Sequence, residues 1–109
     1  MGYNTLKLET EGAAARLTLN RPEQANAMTM EMGRELADAM ETVRANPSIR
    51  VLVLTGAGRR FCAGGDMAEF ARLQGSPPSE VEAAVRVFLE AIGDMHRLPI
   101  PVVARINGD

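Results

Sequence analysis

The sequence lacks most of the features that mark secreted, membrane-spanning or nucleic-acid-binding proteins. It has no tryptophan, 4% aromatic residues and a single cysteine in 109 residues. One cysteine cannot form a disulfide within the chain, which is typical of a protein in a reducing compartment, so we expect a cytoplasmic location. One cysteine and one histidine also do not supply the ligands of a zinc site, so we expect no metal.

Charge and hydropathy exclude further classes. The 12 basic and 14 acidic side chains leave a net charge of −2 and form no basic stripe, so no nucleic-acid partner is expected. No apolar run approaches about 18 residues, so no membrane span is predicted. The N-terminus also lacks the charged and apolar regions of a secretion signal. The balance of 46% hydrophobic and 24% charged residues is typical of one globular domain, here residues 1–109.

The patterning in the first half of the chain predicts an α/β fold. Alternating apolar residues predict a hairpin whose strands carry Leu6–Leu8 and Ala15–Leu19. Thr29 is placed to cap a helix that runs to about Ala45. The apolar run Val51–Leu54 predicts a strand buried on both faces, as in a parallel sheet between layers. Four side chains at helical spacing predict the core face of the helix: Met32, Leu36, Met40 and Val43.

The second half of the chain predicts two more helices and a strand. Asp66 and Glu69 have the spacing of a capping box for a short helix to about Leu73. Ser79 and Glu82 have the same spacing before a longer helix, and Val102–Ile106 predicts another buried strand. The longer helix has an apolar stripe formed by Val81, Val85, Phe88, Ile92 and Met95.

The segment from Gly56 to Gly65 is rich in glycine and lies between a predicted strand and a predicted helix. Helix N-termini offer unpaired N–H donors, and glycine lets a ligand approach the backbone closely. A phosphate, a dinucleotide or a reaction oxyanion could use such a turn. The phosphate-loop pattern is absent, and the dinucleotide pattern fails because Phe61 stands where its third glycine is required. An oxyanion site remains, with the Gly65 N–H as the best donor.

Three ordered segments of the chain resemble motifs of the crotonase family, which comprises enoyl-CoA hydratases and isomerases. The segment from Phe61 to Met67 is similar to the motif Phe-(Ser/Cys/Ala)-Ala-Gly-x-Asp-(Leu/Ile/Met) of that family. The segment from Leu19 to Met28 resembles its first substrate-binding segment. The segment from Leu98 to Gly108 resembles the stretch that leads to a second oxyanion glycine. The resemblance implies the first part of a crotonase-like spiral of repeated strand–helix turns.

The resemblance implies an acyl-CoA substrate whose thioester enolate is stabilised by two backbone donors. Gly65 matches the first donor and is our candidate catalytic residue. Coenzyme A belongs to the substrate, so no separate cofactor is expected. The residues that match the substrate-binding positions are Ala25, Ala27, Ala63, Gly64, Asp66 and Met67. Family members usually assemble as trimers or pairs of trimers, so a homotrimer or homohexamer is expected.

The chain also departs from the family pattern. The second donor and the acid–base glutamates of the family match no position before Asp109, so we expect a truncated chain that is inactive alone. Glu23 and Gln24 stand where many relatives carry a lysine that contacts coenzyme A, a role that Arg59 or Arg60 could take. A non-catalytic interaction module and a nucleotide-binding α/β domain remain alternatives.

Several polar residues have a structural interpretation that we favour over a chemical one. Asp66 is interpreted as a helix cap rather than a catalytic carboxylate. Cys62 is interpreted as a small packing residue, and His96 as a cation in the last turn of a helix. For Arg59 and Arg60 a solvated loop pair and a phosphate contact are both open.

Overall fold

A computed structural model describes residues 2–108 as a four-stranded sheet with three α-helices. The sheet order is β1-β2-β3-β4, with β1 and β2 antiparallel and the other neighbours parallel. The elements in chain order are β1 (Leu6–Glu11), β2 (Ala14–Leu19), a 3-10 turn (Pro22–Gln24), α1 (Met30–Ala45), β3 (Val51–Gly56), α2 (Met67–Leu73), α3 (Pro78–His96) and β4 (Val102–Ala104).

The predicted hairpin and first helix are confirmed. Leu6 pairs with Leu19 in the hairpin, and the turn at Gly12 has a φ of +59°, which glycine adopts without strain. Thr29 caps α1, because its side-chain oxygen accepts a hydrogen bond from the Met32 N–H at 3.1 Å. The four apolar side chains predicted on the core face of α1 are all buried. Helix α1 is thereby fixed against the sheet.

Glu35 of α1 connects this helix to the start of the hairpin. Its carboxylate accepts hydrogen bonds from the Asn4 N–H at 2.9 Å, the Thr5 N–H at 2.8 Å and the Thr5 hydroxyl at 2.6 Å. Burial raises the pKa of Glu35, but these hydrogen bonds outweigh burial and hold that pKa below its ordinary value. The carboxylate thus stabilises the hairpin–helix contact in its ionised form.

Helix α3 packs on α1 through small residues. Ala84 and Ala91 are buried, and a Cβ on Gly33 of α1 would lie 2.7 Å from Cγ1 of Val87. The absence of a side chain at position 33 therefore lets the two helices approach closely. The apolar stripe predicted on α3 is only partly buried, since Val85 and Ile92 are 49% and 57% exposed. The small residues face α1, and this turns the larger ones toward α2.

The predicted capping box at the start of α3 is wrong. The helix begins at Pro78 after Pro77, and no side chain caps it. Glu82 instead forms an ion pair with Arg86 at 2.8 Å along the helix surface. Proline already fixes the backbone and needs no N–H partner, so the first turn forms without Ser79.

The two later strands are less buried than predicted. In β3, Leu52 is buried, whereas Val51 and Val53 on the opposite face are only half-buried. Strand β4 lies at the edge of the sheet, and its consecutive residues Val102 and Val103 are both exposed. Successive side chains point to opposite faces, so neither face of β4 is covered by another element within residues 2–108. None of the helices in that range combines the length and apolar character that a membrane crossing requires.

Candidate functional site

The site begins in the loop that follows β2. Ala25 and Asn26 both adopt left-handed backbone conformations, with φ of 53° and 57°. The fully buried Asn26 side chain accepts a hydrogen bond from the Arg21 N–H at 2.8 Å and donates to the carbonyls of Ala57 and Arg60 at 3.0 and 2.8 Å. Asn26 therefore holds the first loop against the glycine-rich loop. Sequence analysis included this residue in a motif but assigned it no role.

Three backbone hydrogen bonds join the two loops. The Ala63 N–H donates to the Ala25 carbonyl at 3.0 Å, and the Met28 N–H donates to the Gly64 carbonyl at 2.7 Å. The Asp66 N–H then donates to the Met28 carbonyl at 2.9 Å. Met28 and Gly65 thus form a short parallel bridge outside the main sheet. The loops 25–28 and 63–66 behave as one paired unit.

The pairing fixes the direction of the Gly65 N–H. The C=O and N–H of a trans peptide unit point in opposite directions, and the structure has no cis peptide bond within residues 2–108. The Gly64 carbonyl points toward Met28, so the Gly65 N–H points away from it. No acceptor in the described part of the chain receives this N–H.

Gly65 is in close contact with an aromatic ring. A Cβ at this position would lie 2.5 Å from Cε2 of Phe70, which is closer than two carbon atoms can approach. The backbone at Gly64 has a φ of +101°, which side-chain-bearing residues rarely adopt. The two glycines therefore differ in what they allow: Gly65 makes room for the Phe70 ring, and Gly64 adopts a conformation that suits a residue without a side chain.

Gly65 lies on the wall of an apolar cleft between α2 and α3. The cleft has a volume of about 490 Å³ and is lined in part by the apolar stripe of α3. Asp66 and Glu69 are the carboxylates along it. Its apolar lining includes Met28, Phe70, Leu73, Val85, Phe88 and Ile92.

The two carboxylates of the cleft are both engaged by the protein. Asp66 caps α2 as predicted, because its Oδ1 accepts from the Glu69 N–H at 3.0 Å. Its Oδ2 lies 3.1 Å from Nη1 of Arg21, which also donates to the Ala27 carbonyl. The hydrogen bond from the Glu69 N–H and, to a smaller degree, the Arg21 guanidinium hold the pKa of Asp66 below its ordinary value.

The reciprocal half of the predicted capping box at α2 is absent. The Glu69 carboxylate does not return to the Asp66 N–H, which is paired with Met28. It accepts instead from the N–H of Met30, the first residue of α1, at 3.1 and 3.0 Å. Spacing along the chain cannot reveal this contact, because it joins the N-termini of two helices 39 residues apart.

The residues predicted to contact coenzyme A lie together in these loops. The N–H groups of Ala25 and Ala27 donate to Pro22 and Gln24, and their carbonyls accept from Ala63 and Arg21. Each carbonyl keeps a second lone pair for a ligand. Ala63 is exposed, and Met67, the first residue of α2, is 79% exposed. Their contacts with coenzyme A stay a prediction.

The other candidate residues lie around this unit. Arg59 and Arg60 are exposed and line a cleft with Pro22, Gly58 and Gly108. Cys62 is half-buried and packs against the core, in agreement with a packing role. His96 is exposed in the last turn of α3. Within residues 2–108, no three histidine, cysteine, aspartate or glutamate side chains are close enough to hold a metal ion.

Asn107, in the segment that resembles the stretch before the second oxyanion glycine, makes contacts that the sequence pattern does not reveal. Its side-chain oxygen accepts from the Gly56 N–H at 3.1 Å. Its amide donates to the carbonyls of Gly56 and Gly58 at 2.7 and 3.0 Å. Asn107 therefore fixes the start of the glycine-rich loop, as Asn26 fixes its middle.

Comparison with known proteins identifies relatives of this fold and site. The chain is 40% identical over 84 residues to hydroxycinnamoyl-CoA hydratase-lyase of Pseudomonas fluorescens, covering 77% of this chain and 30% of that protein. It is 39% identical over 93 residues to 1,2-epoxyphenylacetyl-CoA isomerase of Escherichia coli, covering 84% of this chain and 36% of that protein. The chain thus spans about a third of the length of these two curated relatives.

A solved structure gives the same result. The crystal structure of an enoyl-CoA hydratase/carnithine racemase from Magnetospirillum magneticum superposes with a TM-score of 0.89 at 39% identity. The match covers 96% of this chain and 39% of that one. The sequence profile of the enoyl-CoA hydratase/isomerase family matches residues 9–109. The family resemblance drawn from three motifs is confirmed, and the chain belongs to the enoyl-CoA hydratase/isomerase family, which has the crotonase fold.

Proposed function

We propose that the complete gene product binds an acyl-CoA and stabilises the enolate of its thioester, with the Gly65 N–H as one donor of an oxyanion hole. We further propose that it acts as an enoyl-CoA hydratase or isomerase. The observation that carries the proposal is the Gly65 N–H, which has no acceptor within residues 2–108 and lies beside an apolar cleft. Such a donor is held in place before charge develops, so no reorganisation is needed during the reaction.

The surroundings of Gly65 favour an acyl-CoA thioester over a nucleotide as the ligand. The cleft offers apolar side chains that suit an acyl group, and low polarity strengthens a hydrogen bond to a developing negative charge. Ala63 and Met67 are exposed and lie within two residues of Gly65 along the chain, which supports a role for them in contacting the coenzyme A portion. Arg59 and Arg60 could then meet its phosphates.

The acid–base residues of the reaction are not supplied by the carboxylates described above. Asp66 pairs with Arg21 and caps α2. Glu69 accepts a hydrogen bond from the Met30 N–H at the start of α1. We therefore propose that the general acid and base come from outside this chain. The relatives include a hydratase-lyase and an isomerase. We propose that this segment stabilises the thioester enolate and that other residues transfer the protons.

The donor is tested by removing the N–H in a background in which the Phe70 ring no longer occupies the space beside Gly65. Gly65→Pro has no N–H, but any Cβ at this position meets Phe70. Both Gly65→Pro and Gly65→Ala should therefore be compared in a Phe70→Ala background of the complete gene product. We expect Gly65→Pro to lower kcat about 100- to 1,000-fold relative to Gly65→Ala, as is typical for the loss of one oxyanion donor.

Equal kcat values for the two variants would contradict the donor role. Calorimetric titration with acyl-CoA, free coenzyme A and NAD then distinguishes the alternatives. Binding of NAD without binding of either CoA compound favours a nucleotide-binding domain. Binding of none favours an interaction module.

We also propose a homotrimer or homohexamer in the cytoplasm. Apolar residues of α2 and α3 that are exposed in this chain are available for contacts in a complete assembly. Sedimentation velocity of the complete gene product measures the number of subunits, and a monomer would contradict this part of the proposal.

A further inference from the structure

We infer that Glu69 is a positioning residue for the Gly65 donor. The inference rests on the proposed function of Gly65 and adds a residue that acts through the backbone rather than by touching the substrate. Glu69 belongs to a cluster with Arg21 and Asp66, which we call the carboxylate clamp. The clamp connects the two loops whose pairing orients the donor.

The clamp consists of contacts made by Arg21 and contacts made by Glu69. Arg21 donates to the Ala27 carbonyl in the first loop and pairs with Asp66 at 3.1 Å in the second. Glu69 lies in the first turn of α2, and its N–H donates to Asp66 at 3.0 Å. Its carboxylate then accepts from the Met30 N–H, two residues after the bridge residue Met28. The carboxylate clamp therefore links the N-termini of α1 and α2 beside the paired loops.

The Glu69 contact is more than an ordinary cap of α1. Thr29 already caps this helix through the Met32 N–H, so α1 has its own N-terminal signal. The Met30 N–H is another first-turn donor that has no acceptor inside α1. It donates to the Glu69 carboxylate of α2. The Glu69 side chain is mostly buried, with 14% exposed, which favours a fixed geometry over a mobile surface contact.

The carboxylate clamp influences the direction of the Gly65 N–H. The peptide plane between Gly64 and Gly65 is set by the hydrogen bond from Met28 and by the adjoining bond from Asp66. Gly64 has no side chain and a φ of +101°, so little else restrains that plane. When Glu69 releases α1, the loops can shift relative to each other and the Gly65 N–H rotates away from the oxyanion. A misplacement of about 1 Å can cost about 100-fold in rate.

The test compares Glu69 and Glu35, whose carboxylates both accept hydrogen bonds from backbone N–H groups. Glu69 links α2 to α1, and Glu35 links α1 to the hairpin. Glu69→Ala opens the clamp, and Glu69→Gln keeps an acceptor oxygen for the Met30 N–H. Glu35→Ala is the matched control, because it removes a carboxylate that stabilises the hairpin–helix contact away from Gly65. All variants are made in the complete gene product and compared at equal folded fraction. We expect Glu69→Ala to lower kcat about 10- to 100-fold with little change in KM, and Glu69→Gln to recover most of the loss.

A spectroscopic measurement separates positioning from general destabilisation. The infrared band of a bound acyl-CoA labelled with carbon-13 at the thioester carbonyl moves to lower frequency when donors polarise the bond. We expect the wild type and Glu35→Ala to show this shift and Glu69→Ala to lose much of it. Hydrogen exchange of segments 25–28 and 63–66 should also accelerate in Glu69→Ala.

The outcomes distinguish this inference from the proposed function. A band in Gly65→Pro, Phe70→Ala that matches the one in Gly65→Ala, Phe70→Ala would overturn the donor and the clamp together. If the Gly65 variants differ but Glu69→Ala keeps the wild-type band and exchange rates, only the clamp is overturned. An equal loss of kcat in Glu69→Ala and Glu35→Ala would assign Glu69 a purely structural role.

Discussion

The hairpin with α1 and the α2–α3 region use similar apolar patterns with different results. In the first region the apolar residues at helical spacing, such as Met32 and Met40, are fully buried. In the second region Leu89 and Ile92 are 64% and 57% exposed. Periodicity therefore identifies an apolar face but not what covers it. Gly65 lies where the loop before α1 pairs with the loop before α2, and its cleft is lined mainly by apolar residues of the second region.

The largest expected contrast is between a core leucine and an exposed one. Leu52 is fully buried in β3, and Leu89 lies on the outer face of α3. Leu52→Ala should lower the free energy of unfolding by about 2–5 kcal/mol through lost burial and a cavity. Leu89→Ala should change it by less than about 0.5 kcal/mol in a monomeric form. Urea denaturation measures both, and a loss at Leu89 above about 2 kcal/mol would show that the face is covered in the complete protein.

The contact that joins the two regions provides the next test. Gly33→Ala places a methyl group 2.7 Å from Cγ1 of Val87, and overpacking of this kind costs about 1–3 kcal/mol. The helix preference of alanine over glycine offsets about 1 kcal/mol, so we expect a net loss of about 1 kcal/mol in the free energy of unfolding. In a Val87→Ala background the same change should stabilise the protein. Destabilisation in both backgrounds would contradict the close packing of α1 and α3.

How far the sequence predicts this molecule depends on whether the signal is local. The hairpin, α1 and the Asp66 cap are correctly predicted because each depends on residues within a few positions of one another. The exposed stripe of α3 and the edge position of β4 depend on packing, which periodicity does not encode.

The candidate site shows the same division. Gly65 is recognised from its motif, and so is the family. The roles of Asn26 and Glu69 come from contacts across 31 to 39 residues of chain, and neither residue signals its partner in the sequence. A buried asparagine in a left-handed conformation is, however, a residue type suited to such a junction.

The starts of the two long helices give a smaller contrast. Thr29 accepts a hydrogen bond from the first turn of α1, whereas α3 begins at Pro78 without a side-chain cap. Thr29→Ala should therefore lower the free energy of unfolding by about 1 kcal/mol. Ser79→Ala should be neutral within about 0.5 kcal/mol. Equal losses in thermal or urea unfolding would restore the capping box that the sequence predicts at Ser79.

Acid pH gives the smallest expected effect and again compares one carboxylate in each region. The pKa values of Asp66 and Glu35 are both lowered in the folded protein, mainly by hydrogen bonds that the ionised carboxylates accept. A lowered pKa stabilises the fold above the unfolded value, which is about 3.9 for aspartate and 4.3 for glutamate, and this contribution is lost as the pH falls through the folded value.

Asp66→Asn and Glu35→Gln remove this pH dependence while each keeps an acceptor oxygen, so the remaining difference is small. The Tm of the wild type should therefore fall more steeply between about pH 5 and pH 3 than that of either variant. Parallel curves for the wild type and Asp66→Asn would mean that Asp66 binds its proton equally well in the folded and unfolded states. That result would contradict the lowered pKa of Asp66 and the stabilising effect of its hydrogen bond from the Glu69 N–H.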